Sequence, residues 1–178
     1  MISETQLKYC PSCGSPGLTR PQRKHIVCTD CHFELYLNPG TAVCALILDD
    51  QNRLLITTRA HEPLQGRWDL PGGFVDPGES AESALAREVK EELNLTVSSV
   101  DYLCSAANIA YHYKGITYQT TDLAFVCTLN QAHTAVPADD VISLHFVEKQ
   151  SMTLSHFAFD SIREIVKNFM ETRWTTTP

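Results

Sequence analysis

The segment from Gly73 to Leu95 reads GFVDPGESAESALAREVKEELNL and carries the clearest helix signal together with a cluster of glutamates. Ser80 suits the position before a helix, where its hydroxyl accepts a hydrogen bond from a free backbone N–H group. Glu82 would follow in the first turn, where the helix dipole favours negative charge. Apolar residues then recur at helical spacing and fall on one face, which predicts a helix that packs on a sheet. The residues of this apolar stripe are Ala81, Leu85, Val89 and Leu93.

Three glutamates form a second face of the same helix. Glu88, Glu91 and Glu92 stand at positions i, i+3 and i+4, so their carboxylates lie side by side. Their repulsion costs only about 0.2–0.5 kcal/mol per close pair, so a solvated acidic surface with Arg87 and Lys90 as counter-ions is one interpretation. The other interpretation is a site for hard divalent cations, because Mg²⁺ binds a few carboxylates together with waters and substrate phosphates. The three glutamates alone do not separate these two interpretations.

The complete order of residues resembles the Nudix box, whose pattern is G-x5-E-x7-R-E-U-x-E-E-x-G-U with U an aliphatic residue. Six fixed identities match, with chance odds on the order of one in ten million per window. They are Gly73, Glu79, Arg87, Glu88, Glu91 and Glu92. Val89 and Leu95 fill the aliphatic positions. Asn94 stands where the family has glycine, but Asn is the usual substitute for glycine at a left-handed helix C-cap, so this departure leaves the chemistry intact.

The resemblance implies a metal-dependent pyrophosphohydrolase that cleaves a nucleoside diphosphate linked to another group. The three glutamates would then hold Mg²⁺ or Mn²⁺, which lower the pKa of a bound water, and the Gly73 carbonyl would be an extra ligand. Glu88 or Glu91 would orient or deprotonate that water. Arg87 and Glu79 would form an ion pair that holds the helix against its preceding loop.

Four cysteines near the N-terminus have the spacing of a zinc site. Cys10 and Cys13 form one C-x2-C pair, and Cys28 and Cys31 form a second pair fourteen residues later. The segment between the pairs is rich in turn-forming and basic residues and cannot build its own core, so a structural Zn²⁺ would stabilise it. The segment is similar to the zinc ribbon found in one branch of the Nudix family, which includes NADH and FAD pyrophosphatases.

The charge of the chain limits its partners. A formal net charge of −7 argues against a general nucleic-acid or anionic-membrane surface, and it means that bound metal and local arginines must attract a polyphosphate substrate. Nucleic acid is one possible partner of a small basic patch in the ribbon. A structural role or a role in forming a homodimer is favoured over nucleic-acid binding, because no aromatic residues interleave with these charges. The patch consists of Arg20, Arg23, Lys24 and His25.

The N-terminal sequence MISETQLKYC has no signal pattern, and no apolar run reaches the length of a membrane span. Four of the seven cysteines fit a metal pattern rather than a disulfide framework. We therefore expect a cytoplasmic protein with no membrane contact.

Apolar runs of strand length surround the box. Residues 41–48 and 53–58 flank a turn, which predicts two strands of one hairpin. Further strands are expected at residues 97–104, 109–113, 116–129 and 141–147, and an amphipathic helix at residues 161–171. These elements predict an α/β fold with a mixed sheet between two helices. The resemblance implies a Nudix-type α/β/α sandwich over residues 38–174, preceded by a zinc ribbon over residues 1–37.

Several residues outside the box are candidates for binding substrate. Arg59 and Arg67 are candidate phosphate contacts, because a guanidinium group matches phosphate oxygens with two parallel hydrogen bonds; solvated loop arginines are the alternative. Tyr111 and Tyr113 point to one side of their strand and could stack a nucleobase, with packing across the strands as the alternative. The candidates for one further metal carboxylate are Asp139, Asp140 and Glu148.

The substrate is less well specified than the reaction. NADH pyrophosphatases carry S-Q-P-W-P-F-P-x-S after the box, and a gap-free alignment places SAANIAYHY, residues 105–113, at that position. Only the first serine matches, which lowers the NADH assignment and leaves FAD, ADP-ribose, other dinucleotides and NAD-capped RNA open. A ligand-sensing or nucleic-acid-binding regulator with a Nudix fold is the alternative function. A hydrolase of damaged nucleoside triphosphates is a third hypothesis.

Overall fold

The computed structural model describes residues 7–129 and 135–175. The N-terminal part forms a small antiparallel sheet in the order β1-β2-β3. Its strands are β1 (Leu18–Gln22), β2 (His25–Cys28) and β3 (Glu34–Tyr36). The four cysteines of the predicted zinc site lie in and around this sheet.

Two further three-stranded sheets form the body of the protein. The first has the order β4-β8-β7, in which β4 is parallel to β8 and β7 is antiparallel to it. The second has the order β6-β5-β9 and is antiparallel. Parallel and antiparallel pairing together confirm the predicted mixed architecture. The strands are β4 (Gly40–Ile47), β5 (Leu54–Arg59), β6 (Trp68–Asp69), β7 (Val97–Tyr113), β8 (Ile116–Leu129) and β9 (Val141–Val147).

One helix covers each face of these sheets. Helix α1 (Ala81–Leu93) buries its apolar stripe against Val43, Ile47 and Phe125. Helix α2 (Asp160–Thr172) buries its own stripe against the opposite face, where Leu46 and Ile56 lie. The result is the α/β/α sandwich expected from the sequence. Neither helix is long and apolar enough to cross a membrane, which holds for every helix in the described part of the chain.

The ends of α1 follow the capping residues of its sequence. The Ser80 hydroxyl accepts a hydrogen bond from the Ser83 backbone N–H at 3.2 Å. At the other end Asn94 adopts a left-handed conformation, with φ 55° and ψ 30°, and its N–H donates to the Lys90 carbonyl. Asparagine therefore does at this position what glycine does in the family pattern.

The predicted hairpin of the first two main strands is wrong. Strands β4 and β5 share only an isolated bridge between Leu48 and Leu54, and they belong to different sheets. One edge of β4 pairs with β8, and the other edge is occupied by the loop before the box, because Val43 and Ala45 donate backbone hydrogen bonds to that loop. The two strands expected at residues 97–104 and 109–113 are also one continuous strand, β7, with bulges.

Candidate functional site

Arg87 fastens helix α1 to the loop that precedes it. Its guanidinium donates two hydrogen bonds to the Glu79 carboxylate, at 3.1 and 3.0 Å, and one to the Phe74 carbonyl at 3.0 Å. Hydrogen bonding from Arg87 lowers the pKa of Glu79. The same guanidinium donates to Glu88 at 2.7 Å and to Glu91 at 3.1 Å. Arg87 thus holds together the loop and the acidic face of the helix.

The three box glutamates differ in their exposure. Glu92 is buried and accepts a hydrogen bond from the Gly72 N–H at 2.9 Å. Burial raises the pKa of Glu92 to about 9, and burial also raises the pKa of Glu88 despite its contact with Arg87. Glu91 is the open member, with 47% of its side chain exposed. Two inward carboxylates in a water-poor setting are groups that a divalent cation would stabilise.

The backbone before the box lies directly against these carboxylates. A Cβ atom at Gly73 would come within 2.5 Å of the Glu88 carboxylate, and one at Gly72, whose φ is +145°, would meet the Val43 carbonyl at 2.1 Å. The Gly73 carbonyl accepts a hydrogen bond from the Val43 N–H at 2.8 Å, which leaves its second lone pair for another partner. Only glycines allow this approach of backbone and carboxylate.

The donor set suits a hard divalent cation. Glu88, Glu91 and Glu92 offer carboxylate oxygens, and Gly73, whose backbone lies against Glu88, offers a carbonyl, which is the ligand chemistry of Mg²⁺ and Mn²⁺. Among the candidates for a further carboxylate, Asp139 and Asp140 line the same cavity, and Glu148 is not among its lining residues.

The cavity has a volume of about 440 Å³ and reaches from the box to the strands of the first sheet. This volume lies within the range of small-molecule sites. Aromatic side chains form one side of it: the ring centre of Tyr111 lies 5.8 Å from that of Phe74 and 5.4 Å from that of Phe159. Tyr113 also lines the cavity, with its ring centre 6.4 Å from that of Tyr111. Both tyrosines proposed for substrate binding are therefore beside the box.

Of the two arginines that are candidates for binding phosphate, only Arg59 lines the cavity. Arg59 lines the cavity, donates to the Asp69 carboxylate at 2.7 Å and lies over the ring of Phe159. Arg67 is not among the lining residues, and its guanidinium donates to the Phe157 carbonyl at 3.3 Å and to a neighbouring carbonyl of the same loop. Arg67 therefore holds loops together, and the structure does not bring it to the cavity.

The sequence patterns did not indicate a group of buried polar residues that line the cavity and form what we call its floor. All are buried, and they come from β6, β7 and β8. They are Asp69, Asn108, Thr120 and Asp122. One of them could have been found from the sequence. Asp122 is a single carboxyl residue in the apolar strand segment DLAFVCTL, and a buried carboxyl group needs a partner or a function.

The four N-terminal cysteines converge in space. Their sulfur atoms all lie within 4.8 Å of one another, and the Cys10–Cys31 and Cys13–Cys28 sulfur pairs are each 3.7 Å apart. A tetrahedral Zn²⁺ with Zn–S bonds of about 2.3 Å requires sulfur separations of about 3.8 Å. The cluster therefore fits a structural zinc site.

The fold is an α/β/α sandwich in which a glycine loop lies against a carboxylate-bearing helix, with a cavity in front of both. These features are those of a metal-dependent hydrolase. The family model described as NUDIX domain matches residues 38–169, and the chain belongs to the Nudix hydrolase family, which is a family of enzymes.

Curated relatives match over part of the chain. A NAD-capped RNA hydrolase NudC from Pseudomonas fluorescens is 32% identical over 98 residues, 55% of this chain and 35% of its own. An ADP-ribose pyrophosphatase from Methanocaldococcus jannaschii is 46% identical over 63 residues, 35% of this chain and 37% of its own. The chain thus spans about a third of the length of these relatives.

Among solved structures, a Nudix hydrolase from Nitrosomonas europaea superposes with a TM-score of 0.72 at 26% identity. The match covers 96% of this chain and 94% of the other. The NUDIX domain of Shewanella oneidensis NrtR, solved with ADP ribose, has a TM-score of 0.60 at 20% identity, which supports the fold alone. That match covers 76% of this chain and 89% of the other.

Proposed function

We propose that this chain hydrolyses the pyrophosphate bond of a nucleoside diphosphate linked to a second group, with a dinucleotide such as FAD, NADH or ADP-ribose as the substrate class. The observation that carries the proposal is that Glu88 and Glu92 of the acidic face line the same aromatic-lined cavity, which has a volume of about 440 Å³. The acidic face supplies the chemistry for phosphates, and the aromatic side suits a flat heterocycle.

The box residues divide the work of this reaction. Glu88, Glu91 and Glu92 would hold Mg²⁺ or Mn²⁺, which neutralise phosphate charge and activate water. Glu88 or Glu91 orients or deprotonates the attacking water. Arg87 and Glu79 position the helix through their ion pair, so they act through the metal-binding residues.

Residues outside the box position the substrate. Arg59 lies in the cavity with its charge already shared with Asp69, and it offers its remaining donors to a phosphate. Tyr111 and Tyr113 contact the base or second group. Asp139 or Asp140 contributes the further carboxylate, since both line the cavity.

The names of the relatives agree with this class of substrate. ADP-ribose and an NAD cap both contain a nucleoside diphosphate joined to a second group. This is the class of substrate that we propose for the present chain. The poor match after the box still lowers NADH among the dinucleotides.

The ribbon, residues 1–37, is proposed as a zinc-stabilised unit beside the catalytic unit at residues 38–174. We favour a structural or homodimer-forming role for it over nucleic-acid binding. Four thiolates around zinc suit a reducing compartment such as the cytoplasm.

The proposal is tested by incubating the purified protein with Mg²⁺ or Mn²⁺ and FAD, NADH, NAD, ADP-ribose, diadenosine polyphosphates and dNTPs. We expect hydrolysis of at least one dinucleotide, with loss of about 100-fold or more in kcat for Glu88→Gln and Glu92→Gln. Glu82→Gln is the matched control, because Glu82 is an exposed glutamate of the same helix. If no substrate is turned over faster than by the Glu92→Gln variant, the chain is not a hydrolase of this class.

A further inference from the structure

Asp122 lies beneath a hollow in the middle of the first sheet. It stands in β8, the central strand, and its partner on β4 is Ala42 while its partner on β7 is Ala106. Neighbours on adjacent strands point to the same face, so a carboxylate flanked by two methyl side chains has open space above it. The space is part of the cavity, which both Asp122 and Ala42 line.

The Asp122 carboxylate is held in a fixed position. Thr120 donates its hydroxyl hydrogen to one carboxylate oxygen and Ser161 donates to the other, each at 2.6 Å. Ser161 belongs to helix α2, so the network joins the helix to the sheet. A carboxylate oxygen can accept more than one hydrogen bond, so each oxygen of Asp122 can still accept one from a ligand in the cavity.

Asn108 provides a second polar group beside Asp122. It is 94% buried, lines the cavity and is paired in register with Thr120 on β8. Its amide oxygen accepts from the Ala110 N–H at 3.4 Å, and its amide nitrogen makes no hydrogen bond within residues 7–129 and 135–175. Because Asn108 lines the cavity, this amide N–H group is a donor that a ligand in the cavity could use.

The charges on the cavity floor define what the ligand must offer. Asp69 is paired with Arg59, whose guanidinium donates to it at 2.7 Å, so this pair is neutral as a unit. In the described residues the hydrogen bonds to Asp122 come from the hydroxyl groups of Thr120 and Ser161, and no ion pair includes Asp122. The Asp122 carboxyl group therefore offers hydrogen-bond acceptors, which suit an N–H donor of the ligand.

The polar floor lies at the aromatic end of the cavity. Phe74 is 43% exposed and Tyr113 is 38% exposed, and both line the cavity with Tyr111. Such surfaces bind a flat heterocycle, whose edge would then reach the buried polar groups.

We propose that Asp122 and Asn108 recognise the edge of a nucleobase, and that this subsite selects a heterocycle with an exocyclic amine. Asp122 accepts the amine hydrogen bond, and the Asn108 amide donates to a ring nitrogen next to it. The inference rests on the proposed function, because it assumes that the phosphates of the same ligand face α1. Adenine presents this donor and acceptor side by side, as cytosine does, and the larger purine ring of adenine gives more surface to the aromatic side of the cavity.

The test is direct binding, measured by calorimetry in Mg²⁺, of AMP and of purine riboside 5′-monophosphate, in which hydrogen replaces the 6-amino group. We expect the wild-type protein to bind AMP about 10- to 100-fold more tightly, the worth of one hydrogen bond to a charged group. This comparison needs no variant. Equal affinities, or no binding of either nucleotide, would overturn the inference.

Two variants locate the effect. Asp122→Asn should reduce the AMP preference by about tenfold, because it removes the charge of the acceptor. Asp101→Asn, the same change at an exposed position of β7, should leave the preference unchanged. An unchanged preference in a folded Asp122→Asn protein would contradict the assignment. Hydrolysis of the dinucleotide panel is scored separately, so an active enzyme without AMP preference would refute the subsite and leave the proposed function standing.

Discussion

Glu92 is a carboxyl group that the fold buries against the Gly72 N–H. Burial raises its pKa to about 9 from an ordinary value of 4.5, with only the Gly72 N–H in its favour. The folded metal-free protein therefore binds a proton that the unfolded chain lacks between these two pH values. The contribution of Glu92 to the free energy of unfolding is therefore most favourable below pH 4.5, and it is lost as the pH rises towards 9.

We predict that Glu92→Gln stabilises the metal-free protein while removing activity. Glutamine keeps an acceptor for the Gly72 N–H but carries no charge, so the melting temperature in EDTA should exceed that of wild type by roughly 3 °C or more at pH 8. The difference should shrink as pH is lowered towards 5. Thermal unfolding at pH 5, 6.5 and 8 checks this, with Glu82→Gln as the exposed control. A variant that is less stable than wild type at pH 8 would contradict the argument.

Gly73→Ala tests the contact between backbone and carboxylate. Its Cβ would lie 2.5 Å from the Glu88 carboxylate, which must move away from its present position. We expect weaker Mg²⁺ activation, by about 10- to 100-fold in the metal concentration for half-maximal rate. Gly40→Ala is the control, since its Cβ would meet the Phe74 ring at an ordinary 3.4 Å. Equal metal dependence of the two variants would show that Glu88 tolerates displacement.

At the scale of elements, the end of α1 depends on a left-handed residue. Asn94 has φ 55°, which costs most side chains about 1–2 kcal/mol and costs glycine almost nothing. Asn94→Ala should therefore lower the free energy of unfolding by about 1 kcal/mol, and Asn94→Gly should leave it nearly unchanged. Urea unfolding at constant pH measures both. Equal losses in the two variants would mean that the Asn94 side chain, which accepts from Lys90, matters more than its backbone.

Local signals predicted α1 well because its cap, stripe and acidic face lie within one short stretch of sequence. The pairing of β4 was not predictable in this way. Its neighbour β5 is close in sequence, but β8 and the Pro71–Gly73 loop occupy the two edges of β4, and both lie far along the chain. Strand pairing depends on such distant partners, so a turn between two apolar runs predicts a hairpin too readily.

The site was predictable to the same extent. The three glutamates share one face of α1, so their convergence followed from their spacing, whereas the Arg87–Glu79 ion pair was implied by the resemblance to the Nudix box. Asp69, Asn108 and Asp122 come from three strands, and only the sheet register brings them to one cavity floor. Arg67 was a candidate because of its residue type, but its guanidinium donates to loop carbonyls, which the sequence does not reveal.

At the scale of the whole molecule, the ribbon and the main body have separate sources of stability. The buried clusters on both faces of the main sheets are built from residues 43 onward among the described part of the chain. The ribbon instead has a small sheet whose buried residues include Cys10, Ile26 and Cys28. We expect a segment of this size to need a metal at its four cysteines for stability.

We therefore predict that removing zinc unfolds the ribbon and leaves the main body folded. Incubation with a zinc-selective chelator in excess Mg²⁺ should abolish amide hydrogen-exchange protection in β1–β3 and preserve it in β4–β9. Cys28→Ser should reproduce the effect, since one thiolate of four is lost, and Cys104→Ser, a cysteine outside the cluster, should not. Loss of protection throughout the chain would show that the two units fold together. Full protection of β1–β3 without zinc would show that the ribbon is stable without a metal.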